Sequence, residues 1–117
     1  MKFKLIIVMA QDDLSDKAIE AARKTGATGC TVITSARGEG LTPTKGFFGL
    51  TVSGQRDVML FLVEEHHARD ILEAIGRACE FKSKPGTGMA FQIDIEDAIG
   101  LSGQIASIKQ EISKEDL

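Results

Sequence analysis

Two short segments of this chain are apolar at odd and even positions alike, and they restrict the fold more than any other feature. Val58–Val63 contains six apolar residues in succession, and Lys2–Met9 is dense in Phe, Leu, Ile and Val. Both runs are too short for a typical helix, so we interpret them as strands. A strand without an alternating polar side is expected where both faces of its sheet are buried. Helices that pack on one face therefore leave a second apolar face to be covered.

A second copy of the same chain is the simplest cover for that face, which predicts a closed homo-oligomer. The alternative is a cover from within the chain, by the C-terminal segment 99–117. In that segment Ile105, Ile108 and Ile112 recur at helical spacing. The two covers do not exclude one another.

Apolar spacing also predicts two amphipathic helices. Asp12 or Asp13 is the expected N-cap of the first, and Lys24-Thr25-Gly26 supplies a basic last turn and a glycine stop. The second helix follows Glu64 and Glu65, and its apolar positions recur at offsets of three, four and seven. These positions are Ala68, Ile71, Leu72, Ile75, Ala78 and Cys79.

Two further strands complete the expected fold. Cys30–Ser35 contains a β-branched run, and Met89–Ile95 alternates between apolar and other residues. The resulting element order is βαββαβ. We therefore predict an α+β fold class, a ferredoxin-like sandwich whose antiparallel sheet carries both helices on one face. Residues 1–117 are treated as a single domain, since a chain of 117 residues suits one modest core.

Residues 82–90, which join the second helix to the last strand and include the first residues of that strand, are called here the glycine loop. It holds two lysines, Ser83, Thr87 and the pair Gly86 and Gly88. Glycines let successive backbone N–H groups turn toward one point, where an anion such as a nucleotide phosphate can bind beside an ammonium group. The alternative is an ordinary helix-to-strand turn with solvated lysines. It is not a Walker motif, because no Gly-Lys-Ser/Thr opens a following helix.

Composition excludes several classes of function. The net charge is −3 and no basic stripe is present, which argues against binding nucleic acid. Lys2 and Lys4 interrupt the first apolar run, so no signal peptide is expected, and no apolar stretch approaches the length of a membrane span. Cys30 and Cys79 lack metal-ligand spacing. We expect a cytoplasmic protein with both thiols reduced and buried.

No catalytic or metal set emerges from the polar residues. Adjacent helical side chains point about 100° apart, so His66 and His67 do not converge easily on one ion. The acidic residues before them suit a helix N-terminus. Cys30 has no visible base, and the acids near Asp94 are typical of a solvated strand end. We expect no metal, no cofactor and no enzymatic activity.

The element order, the long connection of residues 36–55 and the glycine loop together resemble the PII nitrogen-regulatory superfamily, over about residues 1–103. The resemblance implies a homotrimer that binds adenine nucleotides between subunits. The long connection would be the T-loop, through which such proteins regulate a partner, a membrane transporter in some cases. The glycine loop would be the B-loop.

Individual motifs carry the resemblance. Gly29-Cys30-Thr31-Val32 is similar to the family's Gly-Leu-Thr-Val, Ala36–Gly40 to its Lys-Gly-Phe-Gly, and Lys84–Phe91 to its Lys-Ile-Gly-Asp-Gly-Lys-Ile-Phe. The nucleotide-binding residues implied by these matches are Gly29, Thr31, Gly38, Gly40, Lys84, Gly86, Thr87, Gly88 and Met89.

Most departures from the family pattern remove positive charge. Met89 replaces a phosphate-binding lysine, Thr87 an aspartate and Leu41 an arginine, while Ile99 and Leu101 replace two arginines. Because arginine and lysine supply charge-assisted bonds to phosphate, we expect AMP or ADP to be favoured over ATP. Cations that can compensate for the loss include Lys82, Lys84, Arg37, Lys45 and Arg56.

Two other functions remain open at this point. A trimeric, metal-responsive protein similar to the copper-tolerance CutA family shares the predicted architecture. An enzyme that hydrolyses the bound nucleotide is the other possibility, for which the chain offers no evident base or metal set.

Overall fold

The computed structural model describes residues 1–37 and 55–101. The order of elements is βαββαβ, as predicted. The strands are β1 (Phe3–Gln11), β2 (Thr31–Ala36), β3 (Arg56–Glu64) and β4 (Gly88–Asp94). The helices are α1 (Ser15–Lys24) and α2 (Glu65–Ala78). Most of the long connection and all but the start of the C-terminal segment 99–117 lie outside the described residues.

The four strands form one sheet in the order β2-β3-β1-β4, and every neighbouring pair is antiparallel. Leu60 of β3 faces Ile7 of β1 on one side and Thr31 of β2 on the other. Ile7 in turn faces Phe91 of β4. This is the ferredoxin-like arrangement predicted from the element order.

The core lies between the sheet and both helices. Alternate residues of β1 and β3 point into it, and Ile6, Val8 and Phe61 are no more than 1% exposed. Ala18 and Ala22 of α1 belong to the same buried cluster as Ile71 and Ile75 of α2. Both helices therefore cover the same face of the sheet, as expected.

The opposite side of the sheet is called here the outer face. Antiparallel partners share a face, so the register places on it the apolar residues Leu5, Ile7, Met9, Ile33, Val58, Leu60, Leu62, Met89, Phe91 and Ile93. Ile33 and Ile93 are 49% and 45% exposed. No helix in the described parts of the chain covers this face. Residues 102–117, which include the proposed C-terminal cover, are outside those parts.

The start of α1 differs from the prediction, whereas its end agrees with it. Asp12 and Asp13 do not cap α1, contrary to expectation; they lie in a short 3₁₀ turn, and Leu14 precedes the helix without a side-chain bond to its N–H groups. The glycine stop of α1 is confirmed, because Gly26 has a φ of 114° and Ala27 N–H bonds to the Ala22 carbonyl.

Candidate functional site

The glycine loop and both ends of the long connection lie at the same end of the sheet. The backbone N–H of Gln11, the last residue of β1, donates to the Thr87 carbonyl at 3.0 Å. Gln11 is paired with Arg56, the first residue of β3, and Arg56 is paired with Ala36 at the end of β2. A conformational change in the glycine loop can therefore be transmitted to the Arg56 end of the connection through one strand, β1.

The end of α2 shapes the first half of the glycine loop. Phe81 N–H bonds to the Gly76 carbonyl and Glu80 N–H to the Arg77 carbonyl, at 3.1 and 3.2 Å. This is a Schellman motif, in which a left-handed residue reverses the chain after the helix. Glu80 takes the left-handed position with a φ of 56°, where glycine is usual. The chain therefore enters the loop through a strained glutamate.

Lys84 and Thr87, two of the expected site residues, are engaged within the loop. The Lys84 ammonium pairs with the Glu80 carboxylate at 2.8 Å, and the Thr87 hydroxyl donates to the Lys84 carbonyl at 2.8 Å. The hydrogen bond between Glu80 and Lys84 raises the pKa of the lysine and lowers the pKa of the glutamate. Both groups are therefore charged at neutral pH, and the ammonium already has a counter-ion.

The loop's own geometry requires both of its glycines. Gly86 has a φ of 87°, which disfavours any residue with a side chain. At Gly88 a Cβ would overlap the Phe81 ring and lie 2.9 Å from the Met9 carbonyl oxygen. The helix-to-strand turn left open as an alternative thus accounts for the glycine pair without a ligand.

Other expected site residues lie elsewhere. Met89 is opposite Met9 on the outer face. Gly29 and Thr31 are exposed near the start of β2, at the far edge of the sheet from β4. Three strand spacings separate those edges, or about 14 Å. One chain therefore does not bring these groups together, whereas the resemblance places Gly29 and Thr31 in a neighbouring subunit's site. Gly38 and Gly40 lie outside the described residues.

The acidic and histidine cluster at the start of α2 has a structural role. Glu64 is 5% exposed, and its carboxylate accepts a bond of 2.8 Å from the His66 N–H, so it caps the helix as predicted. The same carboxylate contacts His66 Nδ1 at 2.5 Å. Side-chain atoms of Glu64, Glu65 and His66 lie within 4.8 Å of one another. Helix capping explains this grouping without an ion.

We expect the His66 side chain to stabilise the fold more in acid than in base. Its hydrogen bond to Glu64 raises the pKa of the imidazole above its ordinary 6.5. A raised folded-state pKa gives stability that is fully present below the unfolded pKa and is lost as pH rises through the folded value. Urea unfolding at about pH 5.5 and about pH 9 should therefore show a larger cost of His66→Gln at the lower pH.

The control for that measurement is His67→Gln, which removes an imidazole one residue away and leaves the pair with Glu64 intact. If both variants lose the same stability at both pH values, the pair between His66 and Glu64 contributes nothing specific.

Neither cysteine is activated. Cys79 is buried, as predicted, whereas Cys30 is only half-buried. Burial raises the pKa of both thiols, so less of the reactive thiolate forms at neutral pH.

No helix among residues 1–37 and 55–101 is long and apolar enough to cross a membrane.

Several solved structures of similar fold are PII-like proteins. A protein from Thermus thermophilus described as a putative PII-like signalling protein has a TM-score of 0.60 and 24% identity, covering 81% of this chain and 88% of its own. The apo form of CPII, a nitrogen regulatory PII-like protein from Thiomonas intermedia, has a TM-score of 0.64 and 17% identity, with coverage of 81% and 90%. These likenesses show the shared fold.

A second structure of CPII from Thiomonas intermedia contains ADP, AMP and acetate. It has a TM-score of 0.60 and 12% identity, and covers 82% of this chain and 90% of its own. No curated protein matches this chain in sequence.

The sequence profile described as "Nitrogen regulatory protein P-II" matches residues 3–104. The match includes every strand and helix described above. This chain therefore belongs to the nitrogen regulatory protein P-II family.

Proposed function

We propose that this protein is a homotrimeric signalling protein that binds an adenine nucleotide between subunits and regulates a partner through the long connection. One observation carries the proposal: the glycine loop and both ends of the connection lie at the same end of the sheet, where Gln11 is hydrogen-bonded to Thr87 and paired with Arg56. A ligand held by the loop would lie beside the segment that has to change.

The proposed site combines groups from two subunits. One subunit supplies Lys84 and Gly86–Met89, with Gly38 and Gly40 from its long connection; its neighbour supplies Gly29 and Thr31. The far-edge position of Gly29 and Thr31 supports this division, because they are too distant to serve their own chain's loop. The presence of ADP and AMP in a structure of CPII supports an adenine nucleotide as the ligand.

The trimer is proposed to form through the outer face. Its apolar side chains come from all four strands, and Leu60 and Ile7 are near its centre. Contiguous apolar surface of this kind marks an association site. Closing three copies around a common axis would cover this face and bring each glycine loop to a neighbouring subunit.

Signalling requires that the nucleotide bind one conformation of the long connection better than another. The connection would then present a different surface to a partner protein, and a membrane transporter is the partner class to test first. The proposed role is cytoplasmic and does not include catalysis. A phosphate-release assay with ATP would expose any hydrolysis.

Titration calorimetry with AMP, ADP and ATP tests the proposed ligand. We expect AMP or ADP to bind more tightly than ATP, because Met89, Ile99 and Leu101 stand where the family has cationic residues. GMP and GDP are the matched ligands that test for the base. Absence of binding by all three adenine nucleotides would contradict the proposed ligand, and tightest binding by ATP would contradict the expected preference.

A further inference from the structure

The Glu80 carboxylate is in an unusual position for a phosphate-binding loop. It lies two residues before the glycine loop, which is proposed to hold an anion, and it pairs with Lys84 at 2.8 Å. The Glu80 carbonyl also accepts bonds from the Lys84 N–H at 2.9 Å and from the Ser83 hydroxyl at 3.3 Å. One residue therefore fixes both the fold of the loop and the counter-ion of its lysine.

The conformation of Glu80 holds this arrangement in place. Its left-handed φ of 56° is costly for a residue with a side chain, by about 1 kcal/mol. The Schellman bonds on either side of Glu80 maintain the conformation. Such strain persists where the surrounding structure over-determines it, and it is frequent at ligand sites. Lys17 of α1 is the other cation that lowers the pKa of Glu80, after Lys84.

We propose that Glu80 is a specificity-determining residue that sets the charge preference of the nucleotide site. The inference rests on the proposed function. A phosphate that approaches Lys84 must either displace the Glu80 carboxylate or bind next to it. The repulsion grows with the number of phosphate charges, so Glu80 weakens ATP most, ADP less and AMP least.

The test is calorimetry on the full chain with Glu80→Gln, which removes the charge and keeps a side chain of the same length. We expect affinity to rise about tenfold for ATP and about threefold for AMP, because ATP carries about twice the phosphate charge. The gains should shrink at high salt, since the groups are exposed.

Glu73→Gln is the matched control. Glu73 is an exposed glutamate of α2 that pairs with Arg69 at 2.8 Å, and its replacement changes the net charge by the same amount away from the loop. We expect this variant to leave all three affinities unchanged. Equal effects of Glu80→Gln and Glu73→Gln, or equal gains for AMP and ATP, would overturn the proposal.

A double-mutant cycle with Lys84→Gln tests the route of the effect. If Glu80 acts by occupying Lys84, the gain from Glu80→Gln should be smaller in the Lys84→Gln background. A full gain in that background would show that Lys84 takes no part. Failure of the unmodified protein to bind any nucleotide would overturn the proposed function, whereas binding that Glu80→Gln leaves unchanged overturns this inference alone.

Discussion

Replacing Leu60 with glutamate is expected to convert the proposed trimer into monomers. Leu60 is central to the outer face, between Ile7 and Thr31. In a trimer closed through this face, the new carboxylate would be removed from water among apolar side chains, at a cost of several kcal/mol. We expect the dissociation constant to rise by about a thousandfold or more. Light scattering over a range of protein concentrations measures the change directly.

Val32→Glu is the control for this experiment. Val32 is paired with Met59, which is buried in the core, so it lies on the helix side of the sheet. Val32 is also 38% exposed and can accept a carboxylate with its charge in water. We expect Val32→Glu to remain a trimer. A wild-type protein that is monomeric, or a Leu60→Glu variant that remains trimeric, would contradict association through the outer face.

Loss of the trimer should also remove nucleotide binding, although Leu60 is not among the proposed contacts. The reason is that Gly29 and Thr31 are at the opposite edge of the sheet from Gly86. A monomer would therefore present only part of the site. Binding by a Leu60→Glu monomer with unchanged affinity would show that one chain contains the complete site.

The fold could be predicted from the sequence because its signals are local and periodic. The apolar run Val58–Val63 is typical of a strand in the middle of a sheet whose two faces are both buried. It belongs to β3, which lies between β1 and β2. The helical spacing of Ile71 and Ile75 likewise placed both residues in the core. The outer face followed from the same reasoning, since its residues alternate with those of the core.

The details of the glycine loop could not be predicted in this way. Nothing in the local sequence indicates that Glu80 adopts a left-handed conformation, because glycine and asparagine are the usual residues there. The spacing of Glu80 and Lys84 is typical of a helical ion pair and was a usable signal for their contact. Asp12 and Asp13 illustrate a different error. Aspartate is a favoured N-cap, but these two residues form a short 3₁₀ turn before α1 and do not cap the helix.

The sequence alone does not explain the role of the glycines in the predicted site. Sequence spacing placed Gly86, Thr87 and Gly88 in one loop; in the structure Gly86 and Thr87 lie in the loop, and Gly88 is the first residue of β4. The spacing does not say why the glycines are there. Only the three-dimensional position of Phe81, which follows the reversal at Glu80, explains Gly88 by packing.

Replacing Gly88 with alanine is expected to destabilise the protein by about 1–3 kcal/mol. The added Cβ would overlap the Phe81 ring and lie 2.9 Å from the Met9 carbonyl oxygen. The ring can shift, but Met9 belongs to β1, which is paired on both sides, so its backbone has little freedom to move. Urea unfolding of the two proteins measures the difference.

Gly76→Ala is the matched control, because a Cβ at this position in α2 meets no heavy atom within 4 Å. It should stabilise the protein by about 0.5–1 kcal/mol, as expected for alanine in a helix. Adding Phe81→Leu to Gly88→Ala should cost less than the sum of the single changes, because it removes the ring atoms that the Cβ contacts. A Gly88→Ala protein that keeps full stability but loses nucleotide affinity would instead assign this glycine to the ligand, and the close packing against Phe81 would not be its reason.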